Sequence, residues 1–326
     1  MQEINREILA AKAKEIFESG KADRLLGWKR GEFDWDVTPA LFTAENLDGF
    51  VYNGFCGANF SKYLIAETRK SENKVLVFLK PCDTYSFNQL LTEHRFDREK
   101  VYVVGIPCDG MLDINKIRAK AENVSSVKDG ETVTIETLWD GEITAPRAEL
   151  LAERCLNCKS KKHTAYDELI GEDGEVLDSK RFDEVEALEK LTPDERFAFW
   201  QNELSRCIRC NACRDVCPAC TCEKCVFDNP KSGLENKAAA NEFEEKLFHI
   251  IRAFHVAGRC TDCGECSRVC PQHIPLHLLN RKFIKDIDNF YGDYQAGEEV
   301  GSRAPIVNFT QDDLEPSEAV RRNENA

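Results

Sequence analysis

The chain has 326 residues, with 44 Lys and Arg against 58 Asp and Glu, a formal net charge of −14, and 16 cysteines. That length supports two or three modest domains. The acidic balance argues against nucleic acid as a partner, since phosphate binding needs excess basic charge, and suits solubility and docking to basic partners. No stretch has the apolar length of a membrane span, and the charged start Met1-Gln2-Glu3-Ile4-Asn5-Arg6-Glu7 lacks the apolar core of an export signal. Sixteen cysteines without such a signal point to metal chemistry in a reducing, anaerobic cytoplasm rather than to a disulfide framework.

Residues 1–45 read as a helical amino-terminal segment, in which Ile4, Ile8, Leu9, Ala13, Ile16 and Phe17 share one helical face that ends at Gly20. Residues 46–180 read as an α/β domain with a mainly parallel sheet. Its runs Val75 to Leu79 and Val101 to Ile106 are continuously apolar, as in strands covered on both faces. Thr84 to Arg95 reads as the crossover helix between them. Both strands lead into Pro-Cys-Asp, as Pro81-Cys82-Asp83 and Pro107-Cys108-Asp109. Parallel sheets build their sites just past the carboxyl ends of strands, so Cys82 and Cys108 are expected to face one crevice. A shorter strand is expected at Val133 to Thr137, followed by Cys155-Leu156-Asn157-Cys158 and a polar stretch to Lys190.

Residues 190–294 read as a helical, ferredoxin-like dicluster domain. Thr192-Pro193-Asp194-Glu195 is a helix start, with Thr192 as N-cap, Pro193 in the first helical position and Glu195 closing a capping box. The helix it opens presents Phe197, Trp200 and Leu204. A second amphipathic helix carries Phe243, Leu247, Phe248, Ile251 and Phe254 and stops at Gly258. Pro275 opens a third, with Leu276, Leu279, Phe283, Ile287 and Phe290 on one face. Residues 295–326 read as an acidic tail expected to fray.

Within the dicluster domain lies an internal duplication. Cys207-Ile-Arg-Cys210-Asn-Ala-Cys213-Arg-Asp-Val-Cys217-Pro218 and Cys260-Thr-Asp-Cys263-Gly-Glu-Cys266-Ser-Arg-Val-Cys270-Pro271 both read C-x2-C-x2-C-x3-C-P. Arg206, Val216 and Pro218 recur at the same offset as Arg259, Val269 and Pro271. This is the run with which bacterial-type ferredoxins hold two 4Fe-4S clusters, each taking three thiolates from one loop and the fourth from the other copy. The expected ligand sets are Cys207, Cys210, Cys213 and Cys270, and Cys260, Cys263, Cys266 and Cys217. Zinc is the weaker reading, because zinc sites use paired C-x2-C knuckles and have no use for x3-C-P.

Eight cysteines lie outside this pattern. Cys82, Cys108, Cys155 and Cys158 number one cluster's complement, and by spacing alone they read as a third cluster or as buried structural thiols. Cys220, Cys222 and Cys225 follow the first repeat. With Cys56 they read as a further 4Fe-4S site, or else as thiols that enter neighbouring clusters or line the electron route. The six histidines show no metal-ligand spacing. His249, His255, His273 and His277 read as packing or surface residues, with second-shell tuning of a cluster as the alternative.

The segment of about residues 45–175 resembles the beta-subunit family of deazaflavin-reducing hydrogenases and formate dehydrogenases. It does so through Lys80-Pro81-Cys82-Asp83, Val103-Val104-Gly105-Ile106-Pro107-Cys108-Asp109-Gly110 and Arg154-Cys155-Leu156-Asn157-Cys158. The carboxy-terminal half resembles the dicluster domain of formate dehydrogenase and heterodisulfide reductase electron-transfer subunits. The resemblance implies a 4Fe-4S cluster at Cys82, Cys108, Cys155 and Cys158. Family members often bind FAD and reduce deazaflavin.

No nucleophile motif, general acid–base pair or P-loop occurs. The chain therefore reads as an iron–sulfur electron-transfer subunit of an oxidoreductase complex, formate dehydrogenase or hydrogenase linked, with the catalytic centre and the acceptor on other chains. The alternatives are a flavin-bearing subunit that reduces a deazaflavin-like acceptor, and a free-standing ferredoxin-like carrier.

Overall fold

The computed structural model describes residues 4–159, 162–174, 180–229, 231 and 242–308, without the side chains of 242–245. Helix α1 (Arg6–Glu18) starts where the Asn5 side chain accepts the Ile8 N–H, and it buries Leu9, Ala13 and Ile16 as its apolar face requires. The helical expectation for the first 45 residues fails after α1. Strands β1 (Arg24–Arg30) and β2 (Val37–Phe42) follow and pair antiparallel, with Leu25 opposite Phe42. The apolar run Leu25-Leu26-Gly27-Trp28 is too short for a helix and is buried on both faces, the pattern of an interior strand.

After β3 (Phe50–Val51) and α2 (Ser61–Lys70), β4 (Val75–Leu79) and β5 (Val101–Gly105) occupy the two apolar runs and pair parallel, Val75 opposite Val101. Helix α3 (Pro81–Thr92) connects them. It begins three residues before the expected Thr84, because Pro81 takes the first helical position and the Asp83 carboxylate accepts the Lys80 N–H. The 6-stranded sheet runs β2-β1-β4-β5-β9, with β3 also on β1. It is parallel from β1 to β4, β5 and β9 and antiparallel at its β2 edge. Helix α4 (Ile114–Lys120) leads to a second sheet, the antiparallel meander β6 (Val124–Lys128), β7 (Thr132–Thr137) and β8 (Glu142–Pro146). Only β7 is legible in the sequence, since Val133 and Ile135 are the sheet's fully buried pair while its neighbours are polar. The short helix α5 (Glu153–Leu156) and β9 (Glu168–Leu169) complete this half.

Helices α6 (Asp183–Glu189) and α7 (Pro193–Ser205) open the carboxy-terminal half, the latter with the expected capping box of Thr192 and Glu195. There follow α8 (Ala212–Asp215), α9 (Glu242–Val256), α10 (Glu265–Arg268) and α11 (Leu276–Tyr291). Two expected faces are rotated. Phe254 on α9 and Phe290 on α11 are 61% and 79% exposed, whereas Arg281 of α11 is buried to 1% because it meets the Asp262 carboxylate. Nor does the expected tail fray from its first residue: Ala296 and Ala304 are buried, and the Gly297 backbone lies so close to the Tyr85 carbonyl that no Cβ fits there. Residues 309–326 lie outside the described residues. No helix among the described residues is long and apolar enough to cross a membrane.

The two halves meet along α3. Its Thr84, Ser86, Asn88 and Gln89 are buried although polar. The partners lie across the seam: Ser86 Oγ is 2.8 Å from Thr261 Oγ1, Asn88 donates to the Glu298 carbonyl, and Glu93, at the helix end, pairs with Arg259 at 2.7 Å. A buried polar face so satisfied is a specific joint rather than a greasy one.

Candidate metal centres

The twin cysteine loops share a backbone solution. Arg209 and Asp262, equivalent in the two repeats, have φ of 52° and 58°, and Asn211 and Gly264, also equivalent, have 63° and 67°. These left-handed residues curl each loop so that its first three thiols face inward. The pair differs for a steric reason. A Cβ on Gly264 would stand 2.6 Å from the Arg154 side chain, so the second loop needs glycine where the first accepts Asn211.

Cys207, Cys210, Cys213 and Cys270 line one small cavity, together with Phe248 and His249. The crossed set expected from spacing is thus gathered from both repeats. The His249 imidazole, for which the sequence left packing and the tuning of a cluster as alternatives, is held neutral: burial, then Arg252 and Arg209, lowers its pKa to about 3. Its Nε2 lies 3.2 Å from Cys207 Sγ, within hydrogen-bonding distance. The Arg209 N–H points at the same sulfur from 3.4 Å.

Cys217 lies among the loop thiols of the second repeat and is an electrostatic neighbour of Cys260, Cys263 and Cys266. Burial, followed by the charges of Asp262, Glu265 and Cys217, holds the Cys260 and Cys263 thiols above their ordinary range, and burial holds Cys266 up at about 11. Thiols this disfavoured as bare thiolates need a cationic metal to ionise, and its binding releases their protons.

Cys82, Cys108, Cys155 and Cys158 also line one cavity. Cys82 comes from the first turn of α3 past β4, Cys108 from the loop past β5, and Cys155 from α5, with Cys158 just beyond it. The expected crevice at the strand ends is therefore present, and the C-x2-C pair closes it. The Met111 N–H donates to Cys155 Sγ at 3.3 Å and the Gly110 N–H to Cys108 Sγ at 3.4 Å. The buried Lys80 and the half-buried Arg154 line the same cavity, as do Asp262 and Cys263 from the second repeat. Lys80 pairs with Asp83 at 2.8 Å and lies over the Trp28 ring.

The further group does not assemble. Cys220, Cys222 and Cys225 line a cavity of about 480 Å³ with Lys62, Arg69, Arg95 and Arg252. Cys56 is elsewhere, sealed in the core of the α/β half, where its sulfur accepts the Asn53 N–H and burial pushes its thiol up to about 12. Cys220 instead packs against Cys217, and the two thiols titrate as a pair, with Cys217 held below the ordinary thiol range and Cys220 above it.

One seam joins the α/β cavity to the second loop. Arg154 donates to the Cys263 carbonyl at 3.0 Å, the Gly57 carbonyl at 2.7 Å and Glu265 at 2.5 Å. Glu265 is fully buried. Burial pushes its carboxyl up, but Arg268 and Arg154 outweigh that and hold it at about 2. Asp262 pairs in the same manner with Arg181 and Arg281. These second-repeat carboxylates, and Arg252 on α9, carry no spacing signal, because their partners come from distant chain segments.

Four thiols line each of these two cavities, the donor type with which iron–sulfur clusters are held. Among the described residues no three His, Cys, Asp or Glu side chains converge tightly enough to hold a single metal ion. None of the sixteen cysteines is joined in a disulfide.

The model of the 4Fe-4S dicluster domain matches residues 203–274. The chain is 26% identical over 336 aligned positions to the F420-dependent formate dehydrogenase subunit beta of Methanocaldococcus jannaschii, covering 83% of this chain and 87% of that one. It is 23% identical over 280 positions to F420-dependent formate dehydrogenase 1 subunit beta of Methanococcus maripaludis, covering 66% and 72%. Among solved structures, one chain of the F420-reducing NiFe hydrogenase complex of Methanosarcina barkeri superimposes with a TM-score of 0.39 at 15% identity, over 63% of this chain and 87% of that one. Over most of its length the chain is thus similar to beta subunits of F420-dependent formate dehydrogenases, and residues 203–274 match a 4Fe-4S dicluster domain.

Proposed function

We propose that this chain is the iron–sulfur electron-transfer subunit of a formate dehydrogenase or hydrogenase complex, relaying electrons between a catalytic chain and an acceptor chain. The observation that carries the reading is the continuity of its thiol sets. Cys263 of the second repeat stands on the wall of the cavity ringed by Cys82, Cys108, Cys155 and Cys158, and Cys213, Cys266 and Cys270 share one buried cluster between the two repeats. Three 4Fe-4S centres would be held by Cys207, Cys210, Cys213 and Cys270, by Cys260, Cys263, Cys266 and Cys217, and by Cys82, Cys108, Cys155 and Cys158. When bound, such clusters supply one-electron transfer at a potential set by charge, hydrogen bonds and exposure.

The chain's own residues hold these sets in place and exclude water. The N–H groups of Arg209, Gly110 and Met111 donate to ligand sulfurs, which stabilises the extra negative charge that accompanies reduction, and His249 Nε2 stands beside Cys207 Sγ. Lys80 and Arg154, each paired with a carboxylate, stand beside the third set. Cys210 alone of the twelve thiols is exposed, so the first set is the end of the path that a partner chain reaches.

Anaerobic purification from the source cell tests the proposal through neighbouring chains, iron and flavin together. A catalytic chain should co-purify, with about twelve irons per copy of this subunit. An isolated monomer would leave the free-standing carrier. One flavin per chain would make the α/β half a flavin enzyme rather than a pure conduit.

A further inference from the structure

We infer that Arg252 is the shared internal counter-ion of the two twin-loop clusters and raises the reduction potential of both. The inference rests on the cluster assignment above. Arg252 projects from α9 and is 5% exposed. One Nη donates to the Cys213 carbonyl at 3.0 Å, whereas its Nε has no hydrogen-bond partner. It lines one cavity with Cys220, and its electrostatic neighbours are the thiols of Cys217, Cys213, Cys266 and Cys220. Two of these, Cys217 and Cys266, belong to one ligand set and Cys213 to the other.

The other buried guanidiniums around the sites, Arg181 and Arg281, both meet Asp262, and the half-buried Arg154 meets Glu265. Among the described residues Arg252 pairs with no Asp or Glu. A buried guanidinium without an anion is strongly disfavoured, and it cannot shed its charge by losing a proton. The negative charge it faces is that of the thiolates and of the cubes they hold. Reduction adds one more negative charge to a cube, and a fixed cation beside it stabilises that form, so the potential rises. Because Arg252 faces members of both sets, it acts on both clusters. The carboxylate-bearing Arg154 contributes far less net charge to the third.

The test is a redox titration followed by electron paramagnetic resonance on the anaerobically reconstituted full-length protein. Wild-type iron content checks the cluster assignment independently. In Arg252→Met the two twin-loop signals should move to lower potential while the α/β signal stays, and Arg252→Lys should return them towards wild type. Unchanged potentials at wild-type iron content would overturn the inference. If Arg252→Met loses iron from the twin loops, Arg252→Lys decides: regained loading supports a charge role, and equal loss assigns the side chain to packing and rejects the inference.

Discussion

Two regions of this molecule gather four thiols each, by opposite means. In the twin loops three thiols come from seven consecutive residues, as in Cys207 to Cys213, and only the fourth crosses from the other copy. In the α/β half the thiols come from two strand ends and a separate turn, spread from Cys82 to Cys158. The loops need only a local backbone curl, supplied by left-handed residues such as Asn211 and Gly264. The α/β site needs the parallel register of β4 on β5 and the docking of α5, so it exists only once that half has folded. Local sites of the first kind tolerate damage elsewhere, whereas a site of the second kind inherits the stability of its whole domain.

The most severe test removes a ligand from each kind of site. Cys213→Ser should lower the iron content from about twelve to about eight per chain and leave the α/β centre assembled. Loss of all iron and of the fold would show that the two halves are inseparable. The reciprocal Cys82→Ser should also remove about four irons while the dicluster signals survive, which iron analysis and electron paramagnetic resonance of the two variants would compare.

Next in size is the domain dependence itself. Phe78→Ala, in the fully buried centre of β4, should cost about 3–5 kcal/mol in denaturant unfolding. Along a denaturant series it should release the α/β cluster before the twin-loop clusters. Simultaneous release would contradict the contrast. Glu265→Gln breaks a buried pair between the second loop and Arg154 and leaves guanidinium charge unbalanced, at about 3–5 kcal/mol. Its expected signature is loosening of the seam, read as hydrogen exchange rising at both Arg154 and the Cys263 loop.

The smallest effect concerns pH. The Glu168 carboxyl is held down at about 2 by Lys21 and Tyr102, with Lys12 adding to them, and thereby ties β9 to α1. Its folded pKa lies below the ordinary 4.5, so its contribution is present above pH 4.5 and is lost as pH falls towards 2. Partly exposed pairs of this kind contribute about 0.5 kcal/mol. The difference in unfolding midpoint between wild type and Glu168→Gln should shrink as pH falls from 6 to 3. A difference that grows on acidification would reverse the assignment.

Legibility followed the same division. The repeats, the strands at Val75–Leu79 and Val101–Gly105, and the capping box at Thr192 are short-range patterns, and sequence suffices where spacing alone fixes the chemistry. The hairpin of β1 and β2 went unread because a four-residue apolar run carries no periodicity that separates strand from helix. The same limit put Cys56 with Cys220, Cys222 and Cys225: counting thiols says nothing of a core that seals one of them away. The exposed Phe254 and Phe290 sit at helical spacing, which marks an apolar face but not whether another element covers it.

By itself the sequence determined the donor chemistry, because a four-iron cube accepts a narrow set of cysteine spacings that few other structures require. Only the tertiary structure decided which separated thiols meet and what charge lies beside them. Lys80, Arg154 and Glu265 take their roles from partners brought together by the sheet and by the seam along α3. Arg252 takes its place beside thiols of both loops from the packing of α9. The reason is electrostatic: the effect of a charge depends on its distance and burial, and neither is fixed by position along the chain.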